Sequence, residues 1–270
     1  MKRLLALGAV CAVWFAQPLR AETQTLCLTA LDAASGRTLV ETGPACDARV
    51  TPASTFKLAI GLMGFDAGIL KSADEPKLPF RQGYVDWRPE WRQATTPATW
   101  MRDSVVWYSQ RVMEKLGRER AQGYLGAFRY GNEDISGLPG EGNGLIHAWL
   151  GNSLAISPRE EAEFMGRIVR RELGVSARAY EMTAAIAAYG TRGDGWEVYG
   201  KTGAGLPRGA DGKLVRGRAY GWFVGWGRKG ERTVVFAKLV QDSEKQSVPP
   251  GFRARDMLFD ELFAEDGLLD

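Results

Sequence analysis

Apolar positions along the chain switch between alternating, helical and unbroken patterns, and the switches mark its elements. Thr25 to Leu31 and Gly36 to Glu41 read as short strands separated by an Ala-Ser-Gly turn. Ser54 to Asp66 reads as a helix, stopped near Gly68. Phe56, Leu58, Ala59, Ile60, Leu62 and Met63 are apolar nearly all round it, so it is expected at the centre of the protein. Residues 71–100, dense in Pro, Trp and charge, read as a long surface excursion. Helices are expected at Asp103–Leu116 and Arg118–Phe128, with loop from Gly131 to Gly151. Ser157-Pro158-Arg159-Glu160 is a capping box with Pro at the first helical position, opening a helix to about Leu173. Another helix runs from about Ala177 to Tyr189. Strands follow at Glu197–Thr202, Arg218–Gly227 and Arg232–Gln241, the last two joined by a hairpin turn at Arg228-Lys229-Gly230. A final amphipathic helix covers about Phe252 to Phe263. Strands at both chain ends with helices between them predict an α/β (α+β) fold. Its antiparallel sheet would be formed by N- and C-terminal strands, flanked by helices, with an inserted all-helical region. Without repeats or linkers, residues 22–270 read as one domain.

Charge changes this picture little. The 270 residues carry 35 Lys+Arg and 32 Asp+Glu, a formal +3. Residues 1–21 contain Lys2, Arg3 and Arg20 and no acid, which leaves 32 charges of each sign in the remainder. A neutral remainder has no global field for nucleic acid or an anionic membrane. Lys2 and Arg3 precede an apolar run, Leu4 to Ala16, too short for a span of ~20 residues. Residues 1–21 therefore read as a signal peptide cleaved near Ala21, and Val10 before Cys11 makes a poor lipobox. The expectation is an exported, periplasmic, soluble protein without a membrane anchor. Cys11 leaves with the signal, and Cys27 and Cys46 remain either as a disulfide or as two buried thiols. The single histidine, His147, excludes sites needing two imidazoles, and no metal is expected. A Ser-His-Asp triad would have to use His147, and no G-x-S-x-G elbow accompanies it.

Ser54-Thr55-Phe56-Lys57 puts a hydroxyl and an amine three residues apart, within hydrogen-bond reach on one helix face. An isolated S-x-x-K is most often a cap plus a surface lysine. Here the apolar surroundings would make an unpaired Lys57 costly to bury. Lys201-Thr202-Gly203, followed by Ala204-Gly205, ends a predicted strand and offers a cation, a hydroxyl and little bulk to an anionic, peptide-like ligand. Ser104-Val105-Val106 and Tyr130-Gly131-Asn132 carry little meaning alone.

Together and in this order, these four segments resemble the active-site set of the penicillin-recognising serine enzymes. More closely, they resemble the class D (oxacillinase-type) β-lactamases, over nearly the whole chain after residue 21. The S-D-N and E-x-x-L-N patterns of class A are absent, so no glutamate is offered to activate the hydrolytic water. The resemblance implies a serine β-lactamase/transpeptidase-like fold acting on a β-lactam, with no nucleic-acid or membrane partner, as a monomer or homodimer. It implies that Ser54 is the nucleophile and that Lys57, N-carboxylated by CO2 or bicarbonate, is the general base. No other cofactor is implied. At pH 7 only about one lysine in a few thousand is neutral and able to attack CO2, and apolar burial raises that fraction.

The resemblance further implies an oxyanion hole from the N–H groups of Ser54 and Ala204, and a proton relay through Ser104, hydrogen-bonded toward Lys201. Thr202, Gly203, Val106 and Arg253 would contact substrate, Arg255 and Arg228 competing with Arg253 for its carboxylate. Trp149 would support the carbamate, with Val106 and Phe56 as pocket walls, and Tyr130 and Asn132 would be architectural. Several relatives carry a larger residue at the position of Ala204. Trp87, Trp91 and Trp100 line a substrate entrance or form a satellite core. A β-lactam sensor, or a D,D-peptidase, that acylates but deacylates slowly would share these motifs.

Overall fold

The computed structural model describes residues 22–269, so the signal-peptide reading of residues 1–21, with Cys11, lies outside the described residues. The strands are β1 (Thr23–Asp32), β2 (Thr38–Thr42), β3 (Ala188–Arg192), β4 (Trp196–Gly205), β5 (Tyr220–Lys229) and β6 (Arg232–Asp242). They form one antiparallel sheet in the order β2-β1-β6-β5-β4-β3. The N-terminal hairpin closes onto the last strand, with Ala30 opposite Phe236, as the strand pattern predicts. Cys27 and Cys46 form a disulfide, which resolves the open alternative.

The helices are α1 (Lys57–Asp66), α2 (Pro97–Asp103), α3 (Val106–Leu116), α4 (Arg118–Phe128), α5 (Gly144–His147), α6 (Pro158–Val169), α7 (Ala177–Ile186) and α8 (Pro250–Leu262). β5 and β6 are buried on both faces, so they read as nearly unbroken apolar runs. One face carries the main core, built around α1, of which nine of ten residues are buried. The other face packs Phe223, Val234 and Phe236 against Leu258 and Leu262 of α8.

Four local features differ from the expected elements. Ser54 lies in a 3-10 turn, Ala53–Phe56, that leads into α1, and Ala53 there has a left-handed φ of 51°. The helix expected from Asp103 to Leu116 begins at Val106, because Ser104, with a φ of 59°, turns the chain out of a separate helix, α2, that ends at Asp103. The 71–100 excursion folds back into the core: Trp100 donates to Ser109 Oγ at 2.9 Å and Trp91 to the Asp103 carbonyl at 3.0 Å. The helix expected to reach Tyr189 stops at Ile186, and β3 begins at Ala188. Tyr189 turns to the far face, 5.3 Å from the Phe223 ring centroid. The capping box behaves as predicted, with reciprocal bonds between Ser157 and Glu160, although α6 ends at Val169, short of Leu173.

A buried acid next in sequence to that capping glutamate braces the Ser54 turn. Glu161 Oε1 accepts from Thr55 Oγ1 at 2.7 Å and from the Tyr130 hydroxyl at 2.9 Å, while Oε2 has no partner. Asn132 ties the same loop to residues 153–155, its Nδ2 donating to the Ser153 carbonyl at 2.8 Å and its Oδ1 accepting from the Ala155 N–H at 2.9 Å. A Cβ on Gly131 would lie 2.1 Å from the Ala155 carbonyl oxygen, so only glycine allows that approach. Tyr-Gly-Asn is therefore architectural.

Burial pushes the Glu161 carboxyl up to about 7, against the two hydroxyl donors. The unfolded carboxyl releases its proton near the ordinary 4.5, so between these values the folded state binds more protons and stability falls as pH rises. Glu161→Gln removes that titration. The melting temperature of the variant relative to the parent should therefore improve from pH 4.5 to 7, by an amount on the order of 1–3 kcal/mol in stability. A pH-independent difference would contradict a protonated Glu161.

Candidate active site

The site forms where β4 meets the Ser54 turn. A Cβ on Gly203 would lie 2.9 Å from the Pro52 carbonyl oxygen and 3.2 Å from Thr55 Cγ2, so glycine is needed for the strand edge to close on the turn. Gly251, at the start of α8, repeats the device, its absent Cβ being 2.5 Å from the Gly203 carbonyl oxygen. The resulting cleft has a volume of about 370 Å³. Ser54, Ser104, Val106, Thr202, Gly203 and Ala204 all line it, so segments 150 residues apart converge as the motif order implies. A larger groove of about 550 Å³ beside α6, rich in arginine, contains none of these residues.

Beneath Ser54 lies Lys57, whose Nζ donates to Ser54 Oγ at 3.0 Å. Lys57 is 0% exposed and has no ion-pair partner among the described residues. Desolvation, followed by the positive charges of Lys201 and Arg88, holds its ammonium well below the usual lysine range. A shift in that direction raises the fraction of neutral amine.

Two buried neighbours extend the pattern. Trp149, also 0% exposed, packs 5.5 Å from the Phe56 ring centroid, and its indole N–H has no hydrogen-bond partner among the described residues. Leaving a buried N–H without an acceptor is costly. Lys201, 2% exposed, donates to the Thr202 carbonyl at 3.1 Å and to Thr202 Oγ1 at 3.3 Å. Burial, with Arg88 nearby, brings its ammonium down to about 7, while Asp103 opposes the shift.

Two expectations require correction. Ser104 shares the cleft with Ser54, but among the described residues Lys201 donates to Thr202 and makes no hydrogen bond to Ser104. Arg253 does not line the cleft. Its guanidinium is drawn back by Asp242, at the end of β6, and also donates to the Val248 carbonyl and to Thr23 Oγ1. Its competitors do no better. Arg255 pairs with Asp256, and Arg228 lies opposite Glu197, at the end of β4 remote from Thr202. His147 does not line the cleft and hydrogen-bonds Gln110.

The tryptophan segment divides between core and cleft wall. Trp100 and Trp91 are buried, whereas Trp87 is 67% exposed and lines the cleft mouth with Trp91. Arg88, between them, also lines the cleft. Sequence reasoning missed Arg88 and Glu161, since neither belongs to a motif. Among the described residues no group of histidine, cysteine and acid side chains is suited to a metal, and no helix is long and apolar enough to cross a membrane.

Comparison with known proteins agrees with this geometry. A profile of the penicillin binding protein transpeptidase domain matches residues 26–258. Beta-lactamase OXA-9 of Klebsiella pneumoniae is 42% identical over 271 residues, covering 97% of each chain. Beta-lactamase OXA-1 of Escherichia coli is 37% identical over 202 residues, or 74% of this chain and 70% of its own. Among solved structures, OXA-427 class D beta-lactamase is similar with a TM-score of 0.82 and 44% identity, over 87% of this chain and 95% of that one. With these relatives matched over most of their length in the same fold, the chain belongs to the penicillin-binding transpeptidase-domain family and, within it, to the class D β-lactamases.

Proposed function

We propose that the protein hydrolyses β-lactam antibiotics through a covalent acyl-Ser54 intermediate, with N-carboxylated Lys57 as general base in both half-reactions. Export to the periplasm and a role in antibiotic resistance belong to the same proposal. The observation that carries it is the lysine: fully buried, without a counter-ion, and 3.0 Å from Ser54 Oγ. A neutral Lys57 amine can bond to CO2 and release a proton, giving an anion on Nζ. The unpartnered Trp149 N–H is a donor suited to such an anion. When formed, the carbamate supplies a proton acceptor for Ser54 and later for water.

The chain's own residues do the rest. Ser54 Oγ bonds to the lactam carbonyl carbon, and the N–H groups of Ser54 and Ala204 hold the developing oxyanion. As the ring C–N bond breaks, the Ser104 hydroxyl passes a proton to the leaving nitrogen and takes up in exchange the proton that the carbamate removed from Ser54, which frees the carbamate for deacylation. Lys201, brought down to about 7 by burial, holds Thr202 at the strand edge beside them. Val106, 2% exposed, and Phe56, 0% exposed, support the reading by keeping bulk water from the lysine. Deacylation separates this reading from a sensor or a slow D,D-peptidase, both of which would stay acylated.

Lys57→Ala should trap the acyl-enzyme, leaving a stable adduct of protein plus one intact β-lactam mass in denaturing mass spectrometry. Its steady-state turnover should fall by about 10²-fold or more. Turnover of Lys57→Ala at the parent rate would contradict the proposed base. Trp149→Phe should raise the bicarbonate concentration needed for half-maximal activity by about tenfold, with activity recovering in excess bicarbonate. An unchanged bicarbonate requirement would remove Trp149 from the carbamate's support.

A further inference from the structure

The buried acid behind the nucleophile turn makes more hydrogen-bond contacts than its partners have hydrogens to fill. Thr55 Oγ1 lies 2.7 Å from Glu161 Oε1 and 2.8 Å from the Pro52 carbonyl oxygen. A threonine hydroxyl carries one hydrogen, and a carbonyl oxygen can only accept. With Glu161 ionised, that hydrogen serves one acceptor and leaves two oxygens facing each other at the other contact. With a proton on Oε1 both contacts are filled: Glu161 donates to Thr55, Thr55 donates to Pro52, and the Tyr130 hydroxyl still donates to Oε1 at 2.9 Å. The unpartnered Oε2 agrees, since a neutral carbonyl oxygen is far cheaper to leave unpaired than half of a buried carboxylate. The Thr55–Glu161 bond thus has two senses, and the proton on Glu161 selects between them. The Pro52 carbonyl also accepts from the Thr55 N–H at 3.1 Å, closing the turn that contains Ser54. Ala53 in that turn has a φ of 51°, a left-handed conformation that alanine keeps only where its surroundings enforce it. The same carbonyl faces Gly203 of β4, whose absent Cβ would lie 2.9 Å away.

We propose that Glu161 is a positioning residue for the reaction: as a neutral acid it donates through Thr55 to the Pro52 carbonyl, fixing the turn that presents Ser54, and losing its proton slows acylation. The assignment rests on the reading of Ser54 as nucleophile. Glu161 does not line the cleft and acts only through the relay. Burial brings its carboxyl up to about 7, so the proton is lost within the working pH range. The facing groups leave this titration to Glu161. Tyr130, on the opposing loop, is held well above 10 by burial and remains a donor. Glu160, on the same helix, is ionised against Arg49, and its charge favours the proton on Glu161. From α1, Lys57 is turned to Ser54 Oγ. Beneath α6, Asp32 of β1 bonds Ser35, while Lys238 and Asp242 of β6 pair with Glu261 and Arg253. β5 brings no charge to the site, its Arg228 and Lys229 lying at the hairpin end, where Lys229 pairs with Asp194. Glu163, Arg129, Arg159 and Arg167 belong to the arginine-rich groove, which Glu161 does not line.

The test compares pH profiles of kcat/KM for a chromogenic cephalosporin in saturating bicarbonate, on the parent enzyme, Glu161→Gln and Glu161→Ala. A glutamine amide donates to Thr55 and accepts from Tyr130 as the neutral acid does, but cannot titrate. Carboxylation of Lys57 and titration of Lys201 affect all three proteins and cancel in the ratios. Glu161→Gln should match the parent within about twofold at pH 6 and exceed it by about five- to tenfold at pH 8, where the parent's acid has lost its proton. Glu161→Ala, with no donor, should fall below Glu161→Gln by about tenfold at both values. A Gln-to-parent ratio that does not change with pH, or an Ala variant equal to Gln, would overturn the assignment. Infrared spectroscopy of the parent decides the proton independently, even if the Ala variant fails to fold. A protonated-carboxyl band that is missing from Glu161→Gln and titrates near neutrality supports the neutral donor, and its absence at pH 6 would overturn it. A parent enzyme that forms no acyl-Ser54 at any pH would instead defeat the nucleophile reading, with the infrared band still reporting on Glu161, so the two failures are distinct.

Discussion

The structure depends on the burial of one lysine without a counter-ion. Lys57 starts the central helix, is closed from solvent and, among the described residues, hydrogen-bonds a single side chain, through Ser54 Oγ. Burying an ammonium in this way is expensive, and the cost falls when the proton leaves. The same packing that would destabilise a charged lysine therefore prepares a neutral amine beside a hydroxyl. Lys201 and Arg88 push in the same direction, since each adds positive charge to a site that already resists it.

Much of the surrounding fold keeps that arrangement fixed. α1 is apolar nearly all round and is enclosed by helices and by the sheet, so Lys57 is held out of bulk water. The Ser54 turn is braced from below by Glu161 through Thr55, and from the side by β4, which approaches only because Gly203 lacks a side chain. Gly251 brings α8 against the same strand edge. Stability and chemistry are coupled here: the residues that pack the core also determine which groups in the cleft carry charge.

Much of this was legible in the sequence where the signal is local. The four segments Ser54–Lys57, Ser104–Val106, Tyr130–Asn132 and Lys201–Gly203 each place chemistry on a short stretch of backbone, and the structure brings three of them to the cleft and the fourth to the loop that braces it. One antiparallel sheet built from both chain ends followed from the strand positions, whereas β3 did not, since its first residues read as the end of a helix. The failures have a common physical origin. Arg253 occupied a suitable position along the chain, but a guanidinium on a long stem goes to the strongest partner within reach, and Asp242 is distant in sequence. The break at Ser104 needed a single left-handed residue, which apolar periodicity does not register. Arg88 was hidden in a segment read as surface, because the burial of Trp91 beneath it depends on a hydrogen bond to α2.

The central claim is that the Lys57 amine carries a carboxyl group when the enzyme works. Carbon-13 NMR of the protein equilibrated with labelled bicarbonate tests it most directly. The account predicts a carbamate resonance that is absent from Lys57→Ala, disappears on acidification together with activity, and returns with it when bicarbonate is restored. A fully active enzyme that shows no such resonance would contradict it.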